Sequence, residues 1–391
     1  MISRIPETSL EGVSVAVDAR TIEVPGIGFH RYLKAAVTCL LEMRAQVCLL
    51  TNFPTQDFEL LFPAAEWIGF GSRRNIIWDQ YDLPRLLRKR QFDLYWAPTN
   101  NGIPFLPVRK TWMISTTHDL VPLRLPNLYL YRRPAFAIPY LVWTIAAMLR
   151  SDTVLTVSDA SAQDIRRIFR RRSTVISPVF GDILSSAATG PLPEEIRDKT
   201  YIVYNGGLDP RKSVPNLLSG FAIATDQWPD LCLVLVGNGY GVFDAPIKSL
   251  GISEKVFRTG YVSDETRSAI VKAAAAMAYP SLYEGFGLPL LEAFADGTPV
   301  VTAANSSITE VAGDAAPGDM GGGVHRATEG RVGAGRRQRG AHGGGVDHRR
   351  LQQLVGEGVR RAGPGGVLET EPGPLQQDVT GQGVAVAPQS R

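Results

Sequence analysis

A chain of 391 residues, 44% of them hydrophobic, is long enough for two domains of ordinary size. Its 41 Lys and Arg against 38 Asp and Glu leave a net charge of +3, too small a bias for a nucleic-acid-binding protein. Cys39, Cys48 and Cys232 stand far apart in apolar contexts, which fits neither a disulfide framework nor a zinc site and points to a reducing, cytoplasmic setting.

The N-terminus carries no apolar core of a signal peptide. Val13 to Asp18 reads as a strand, and Gly26-Ile-Gly28 leads into a helix beginning near Phe29. Gln46 to Thr51, Phe92 to Trp96, Thr111 to Thr117 and Val154 to Val157 read as further strands with helical patterns between them. That alternation predicts a parallel sheet flanked by helices. Pro134 to Leu149 is nearly uncharged, too short for a bilayer span, and reads as a buried or interfacial helix.

A second alternation runs through Tyr201 to Tyr204, Leu231 to Val236, Val256 to Thr259, Ala274 to Tyr279 and Pro299 to Thr302. The chain therefore divides into a first Rossmann-like domain over 1–182, a Ser-, Pro- and charge-rich linker over 183–199, and a second Rossmann-like domain over 200–316. Two such doubly wound domains place a ligand cleft between the carboxyl edges of their sheets.

Residues 317–391 depart from this pattern. They hold 19 of the 39 glycines and three of the five histidines, and contain no Phe, Tyr, Trp, Ile, Lys, Cys or Asn. Such a segment buries too little apolar surface to offset its ordering entropy, so an irregular tail is expected. The abruptness of the switch favours a reading-frame change in a GC-rich gene over a natural disordered tail.

The most informative segment is Tyr279-Pro-Ser-Leu-Tyr-Glu284-Gly285-Phe286-Gly287-Leu-Pro289, continuing to Glu292. A short strand enters a glycine-rich loop that opens a helix near Pro289. Helix N-termini present unpaired N–H groups and attract anions. Glu284 in the loop and Glu292 one turn into the helix would weaken a site for phosphate alone. They suit a ligand that also carries hydroxyls. The bland alternative is a strand–turn–helix with solvated acids.

Gly206-Gly-Leu-Asp-Pro-Arg211-Lys212-Ser follows the first strand of the second domain. Adjacent cations at a helix start oppose the dipole, which argues for an anion beside them. Arg211 and Lys212 suit a diphosphate. In the first domain Gly26 and Gly28, with Arg31, occupy the matching turn. They lack the third glycine of a dinucleotide fingerprint, so no NAD site is read. His118-Asp119 follows a strand that ends at the cleft edge; Asp119 either orients the ring or holds the loop. Ser158 or Ser161 caps the following helix. No Asp-x-Asp pair and no histidine or cysteine cluster occurs, so neither a metal nor an organic cofactor is expected.

These motifs resemble the E-x7-E signature of the retaining, nucleotide-sugar-dependent glycosyltransferases of family 4, which have the GT-B fold. The resemblance extends through Gly297-Thr-Pro-Val-Val-Thr and Glu310-Val-Ala-Gly-Asp-Ala-Ala316, covering about residues 12 to 316. It implies a metal-free hexosyltransferase with a nucleotide-sugar donor. His118, Arg211, Lys212 and Glu284 would serve the reaction, while Gly26, Gly28, Gly285, Phe286, Gly287 and Glu292 would bind the donor. Glu284 and the glycine loop would hold hexose and phosphate, and Glu292 the ribose.

The segments around His118 and Lys212 look most like the mannosyltransferase-like branch. The resemblance thus implies GDP-mannose as donor, a glycan or polyprenyl-diphosphate-linked oligosaccharide as acceptor, and a place in exopolysaccharide assembly. A UDP-dependent glucosyl- or galactosyltransferase, or a non-catalytic or inactivated sugar-nucleotide-binding relative, are the other readings. Arg73-Arg74 and Arg85 to Arg90, interleaved with Trp78 and Tyr81, resemble the face by which relatives touch the inner leaflet; a solvated charged helix is the alternative. In relatives the residues after Ala316 complete the second sheet, so this chain is expected to lack its sixth strand.

Overall fold

The computed structural model describes residues 10–23, 28–55, 58–176, 190–313 and 324–327. The first nine residues, Gly26, residues 183–189 of the expected linker, and the tail apart from 324–327 lie outside these. The described residues fall into two compact units, one before residue 180 and one after it.

The first unit is built on seven parallel strands. In chain order they are β1 (Ser14–Asp18), β2 (Gln46–Thr51), β3 (Glu66–Gly69), β4 (Leu94–Ala97), β5 (Trp112–Thr116), β6 (Thr153–Thr156) and β7 (Thr174–Val175). Their spatial order is β3-β2-β1-β4-β5-β6-β7. Helices such as Gly28–Glu42 and Asp159–Phe169 supply the return crossovers that parallel pairing requires. The five strands read from sequence are present with ends shifted by at most two residues. Two were not read. β3 lies at the sheet edge with half-buried or exposed residues, and β7 is two exposed residues. An edge strand is not covered on both faces, so it needs no apolar run and gives no signal.

At the end of β1, Asp18 and Arg20 form a buried network with Asp79. Arg20 Nη2 lies 2.6 Å from Asp18 Oδ2 and 2.7 Å from Asp79 Oδ1, and its guanidinium sits 3.9 Å above the Trp78 ring. Burial lifts the Asp79 carboxyl to about 7 against the opposing pull of Arg20.

The helix Pro134–Arg150 is apolar on both sides. Ala137, Thr144, Ala147 and Met148 face the core, while Ile138, Val142, Ile145 and Leu149 are exposed. The helix is thus buried along one side and exposed and apolar along the other. Among the described residues, no helix is long and apolar enough to cross a membrane.

The second unit contains β8 (Tyr201–Tyr204), β9 (Cys232–Val236), β10 (Val256–Gly260), β11 (Ala276–Tyr279), β12 (Val300–Ala303) and β13 (Val324–Ala327), in the order β10-β9-β8-β11-β12-β13. The side-chain period of two splits β8 between two cores. Ile202 and Tyr204 pack with Leu217, Leu218 and Phe221 of the helix Val214–Ala224, whereas Tyr201 and Val203 pack with Ile270, Leu290 and Ala293 on the other face.

Two expectations are corrected here. Residues 190–199 are not a free linker: Ile196 is fully buried in the second core, and the Gly190 N–H donates to the Glu265 carbonyl at 3.1 Å. The sixth strand is not missing, because Val324–Ala327 pairs with β12. It runs antiparallel where its neighbours are parallel. An antiparallel partner can be reached without a crossover, and four extended residues meet the edge's hydrogen bonds whatever their side chains.

Gly102 offers a test of the first unit. Its φ is +88°, and an added Cβ would lie 2.5 Å from Asp18 Oδ2. Gly102→Ala is expected to destabilise the unit by about 2–3 kcal/mol, read as a lowered urea midpoint at unchanged slope.

Candidate active site

Two loops of the second unit meet where its strand order reverses, between β8 and β11, the place where an open parallel sheet leaves a crevice for ligands. The first loop leaves β8 and tightens into a single 3-10 turn, Pro210–Lys212, started by Asp209, whose Oδ1 accepts from the Arg211 N–H at 3.1 Å. The second leaves β11 and enters the helix Leu288–Ala295 through Gly287, whose φ of +112° suits only glycine. The Leu282 N–H donates to the Arg211 carbonyl at 2.7 Å and ties the loops together.

Between them lies a buried ion triad. Lys212 Nζ donates to Glu284 Oε1 at 2.7 Å and to the Tyr279 hydroxyl at 2.9 Å. Arg211 Nη1 pairs with Glu284 Oε2 and also donates to the Tyr283 carbonyl at 2.9 Å. Glu284 is 5% exposed and Lys212 8%. Burial opposes ionisation of Glu284, but Lys212 and Arg211 outweigh it and hold the carboxyl at about 2. Burial lowers the Lys212 pKa, and Glu284 pulls it back up.

The helix that follows β12 fixes the second loop from below. The Glu284 N–H donates to Ser306 Oγ at 2.9 Å, and Ser307 Oγ donates to the carbonyls of Glu284 at 2.9 Å and Phe286 at 2.8 Å. Gly285, Phe286 and Gly287 are thereby held directly beside the triad. Glu292 projects from the helix, its Oε1 3.9 Å from Arg267 Nη2. The anion expected beside Arg211 and Lys212 is, in this structure, the protein's own Glu284.

The first unit gathers a second group. Gly28 opens the helix Gly28–Glu42; its expected partner Gly26 lies outside the described residues. Phe29 and Tyr32 of that helix meet the His118 ring edge-on, with centroids 4.6 and 4.8 Å away. His118 Nε2 lies 2.8 Å from the Pro98 carbonyl, which can only accept, so Nε2 carries the proton and Nδ1 is left as an acceptor. Burial lowers the His118 pKa to about 4 despite that bond, so the ring is neutral at physiological pH.

Asp119 holds the loop. Its Oδ1 accepts from the Val121 N–H at 3.2 Å, and its carbonyl accepts from the Tyr140 hydroxyl at 2.6 Å. Ser158 caps the helix Asp159–Phe169, accepting from the Ser161 N–H at 3.1 Å, and Ser161 Oγ donates to the His118 carbonyl at 2.9 Å.

Sequence reasoning missed Tyr279, Ser306, Ser307, Phe29 and Tyr32. Tyr279 opens the segment already recognised, without a role assigned to it, and Phe29 adjoins the Gly26-Ile-Gly28 turn. Ser306-Ser307 follows the strand next to the E-x7-E strand, and only the sheet order reveals that the two neighbour each other. Among the described residues, no group of three His, Cys, Asp or Glu is placed to hold a metal ion.

His118 makes a pH-dependent contribution. An unfolded histidine takes up its proton below about pH 6.5, but this one only below about pH 4. Stability of the first unit should therefore fall across that window as the pH drops, by at most about 3 kcal/mol. Denaturation of the parent and of His118→Gln at the two ends of the window checks this, since the variant should lose that part of the slope.

Residues 193–320 match the family described as "Glycosyl transferases group 1", and residues 28–179 match "Glycosyltransferase Family 4". The O-antigen chain mannosyltransferase B of Escherichia coli is 32% identical over 225 residues, 54% of this chain and 58% of that protein. The MMP alpha-(1->4)-mannosyltransferase of Mycolicibacterium hassiacum is 35% identical over 164 residues, 41% of this chain and 39% of that protein. The chain thus matches about half the length of these relatives.

Among solved structures, WaaG, a glycosyltransferase involved in lipopolysaccharide biosynthesis, superposes with a TM-score of 0.61 at 16% identity, over 90% of this chain and 92% of that one. Anabaena HepE in complex with UDP does so with 0.59 at 17%, over 90% and 91%. At these identities the likeness speaks to the fold. With its first unit under the family 4 model, its second under the group 1 model, and two sheets of this topology, the chain belongs to glycosyltransferase family 4 and has the GT-B fold.

Proposed function

We propose that this protein is a retaining hexosyltransferase that moves mannose from GDP-mannose to a glycan or polyprenyl-diphosphate-linked oligosaccharide during exopolysaccharide assembly. The observation that carries the reading is the pair Arg211 and Lys212, fixed at the β8–β11 switch point beside a glycine-opened helix. When the bond from the anomeric carbon to the donor phosphate breaks, its electron pair passes to the leaving diphosphate, and two fixed cations stabilise that charge. The acceptor hydroxyl bonds to the same face of the sugar and gives its proton to the leaving phosphate oxygen. Gly285 to Gly287 approach the hexose and phosphate, Glu292 takes the ribose, and neutral His118 with Gly28 serves the donor sugar from the first unit.

The choice of mannose is supported by the E. coli and M. hassiacum relatives, whose names are those of mannosyltransferases. The first of these, an O-antigen chain enzyme, also supports polysaccharide assembly. A cytoplasmic protein touching the inner leaflet fits two surfaces of the first unit. Arg73, Arg74, Arg85 and Lys89 are exposed, as are Ile76 and Tyr81, and Arg85 lies over the Tyr81 ring, whereas Trp78, expected on this face, is fully buried. The outer face of Pro134–Arg150 is apolar, and the sequence between Asp119 and Asp152 holds four arginines and no acid. For the tail after Ala316 we retain the frame change, tested by reading the gene around that codon in all three frames.

Transfer of radiolabelled mannose from GDP-mannose to a lipid-linked acceptor should be detectable with the purified protein, and preference for a UDP-sugar would overturn the donor assignment. Arg211→Gln should lower kcat by about a hundred-fold or more in a protein that stays folded, and near-normal turnover would remove the diphosphate from this site. Turnover should survive EDTA. In flotation assays the protein should rise with vesicles containing anionic lipid and not with neutral ones.

A further inference from the structure

Lys212 is a buried cation whose charged form burial and Arg211 disfavour and a close anion favours. Four groups face it. Arg211, its neighbour on the same turn, repels the ammonium. Asp209, also on that turn, is turned toward Arg211, with Oδ1 accepting from the Arg211 N–H and lying 3.6 Å from its Nε. Tyr279, at the end of β11, offers a hydroxyl that burial, and then Glu284, keeps neutral. Glu284, from the loop after β11, is the carboxylate in direct contact, at 2.7 Å.

Glu284 is itself held from three sides. Its two oxygens are engaged by Lys212 and Arg211, its N–H by Ser306 and its carbonyl by Ser307. Such a group is built to stay in place. The ammonium has three N–H donors; Tyr279 and Glu284 take two of them, and the third has no partner among the described residues.

We infer that Glu284 is a positioning residue, the fixed counter-ion that keeps Lys212 protonated, and that with Tyr279 it directs the remaining N–H of Lys212 toward a nucleoside diphosphate. This rests on the diphosphate assignment of the site. It differs from the role that the family resemblance gives Glu284, which is to hold the hexose. A sugar ligand would act only on the hexose of the donor. A counter-ion acts on the diphosphate through Lys212, whether or not a sugar is attached.

GDP, which lacks the hexose, separates the two roles. The full-length protein, Glu284→Gln, Glu284→Asp and Tyr279→Phe are titrated with GDP and with GDP-mannose by calorimetry across mildly alkaline pH. In parallel, the side-chain carbon resonances of Lys212 are followed against pH without ligand. In Glu284→Gln the Lys212 resonance should titrate at lower pH than in the parent. GDP affinity should then fall by about ten-fold between about pH 7 and about pH 9, against less than about two-fold in the parent.

Glu284→Asp should restore part of the parent's flat profile. Tyr279→Phe keeps the counter-ion, so it should weaken GDP binding by about the same factor at every pH. Adding Lys212→Met to Glu284→Gln should abolish the pH dependence. The inference is overturned if Lys212 titrates alike in parent and Glu284→Gln. It is equally overturned if that variant binds GDP like the parent and loses only the extra affinity for GDP-mannose. A shifted Lys212 titration in a protein whose parent form binds no nucleoside diphosphate would instead overturn the diphosphate assignment and leave the counter-ion standing.

Discussion

Parallel pairing governs everything else in this molecule. Each strand paired in parallel must be entered from the same end, so its connection crosses a face of the sheet and the carboxyl ends of these strands collect along one edge. Where the order reverses, between β8 and β11, neighbouring connections leave on opposite faces, which is where open parallel sheets take their ligands. Arg211 and Lys212 reach that point from one strand and Glu284 from the other, although about seventy residues separate them in sequence. No local preference could bring them together; the strand order does.

An ion triad in such a place carries a desolvation cost, and replacing buried ion pairs with apolar residues is often neutral or better for stability. Its presence is therefore better explained by what the cations are for than by what they add to the fold. With Asp209 3.6 Å from Arg211, two carboxylates stand against the two cations, and Glu284 alone is in direct contact with both of them. Glu284 weakens the attraction for an anion, yet it is also what favours the charged form of the buried lysine against burial. The two acids of the E-x7-E motif thus stand in different situations. Glu284 is enclosed and fully paired, whereas Glu292 is partly exposed beside Arg267.

The first unit answers the same topology with a neutral group. His118 follows β5 and is packed by Phe29 and Tyr32 from the helix that follows β1. Its proton is fixed on Nε2 by the Pro98 carbonyl. Burial that would cost a lysine its charge here keeps an imidazole uncharged, which suits it to accept a hydrogen bond through Nδ1 rather than to carry charge.

The sequence by itself determined the two alternations of strand and helix, because doubly covered parallel strands must be continuous apolar runs such as Tyr201 to Tyr204 and Cys232 to Val236. It also determined which residue types stand at the strand ends, since Gly287, Arg211-Lys212 and Glu284 are local chemistry. It could not show β3 or β7, whose edge positions demand no apolar signature, nor β13, which pairs antiparallel at the open edge of β12. Tertiary structure alone decided that Glu284 closes on Lys212 and Arg211, that Ser306 and Ser307 hold its backbone, and that Asp119 ties its loop to Val121 and Tyr140. Each of these is a contact across strands or turns, fixed by the order in which the sheet is assembled and by burial, and neither quantity is written in any short stretch of chain.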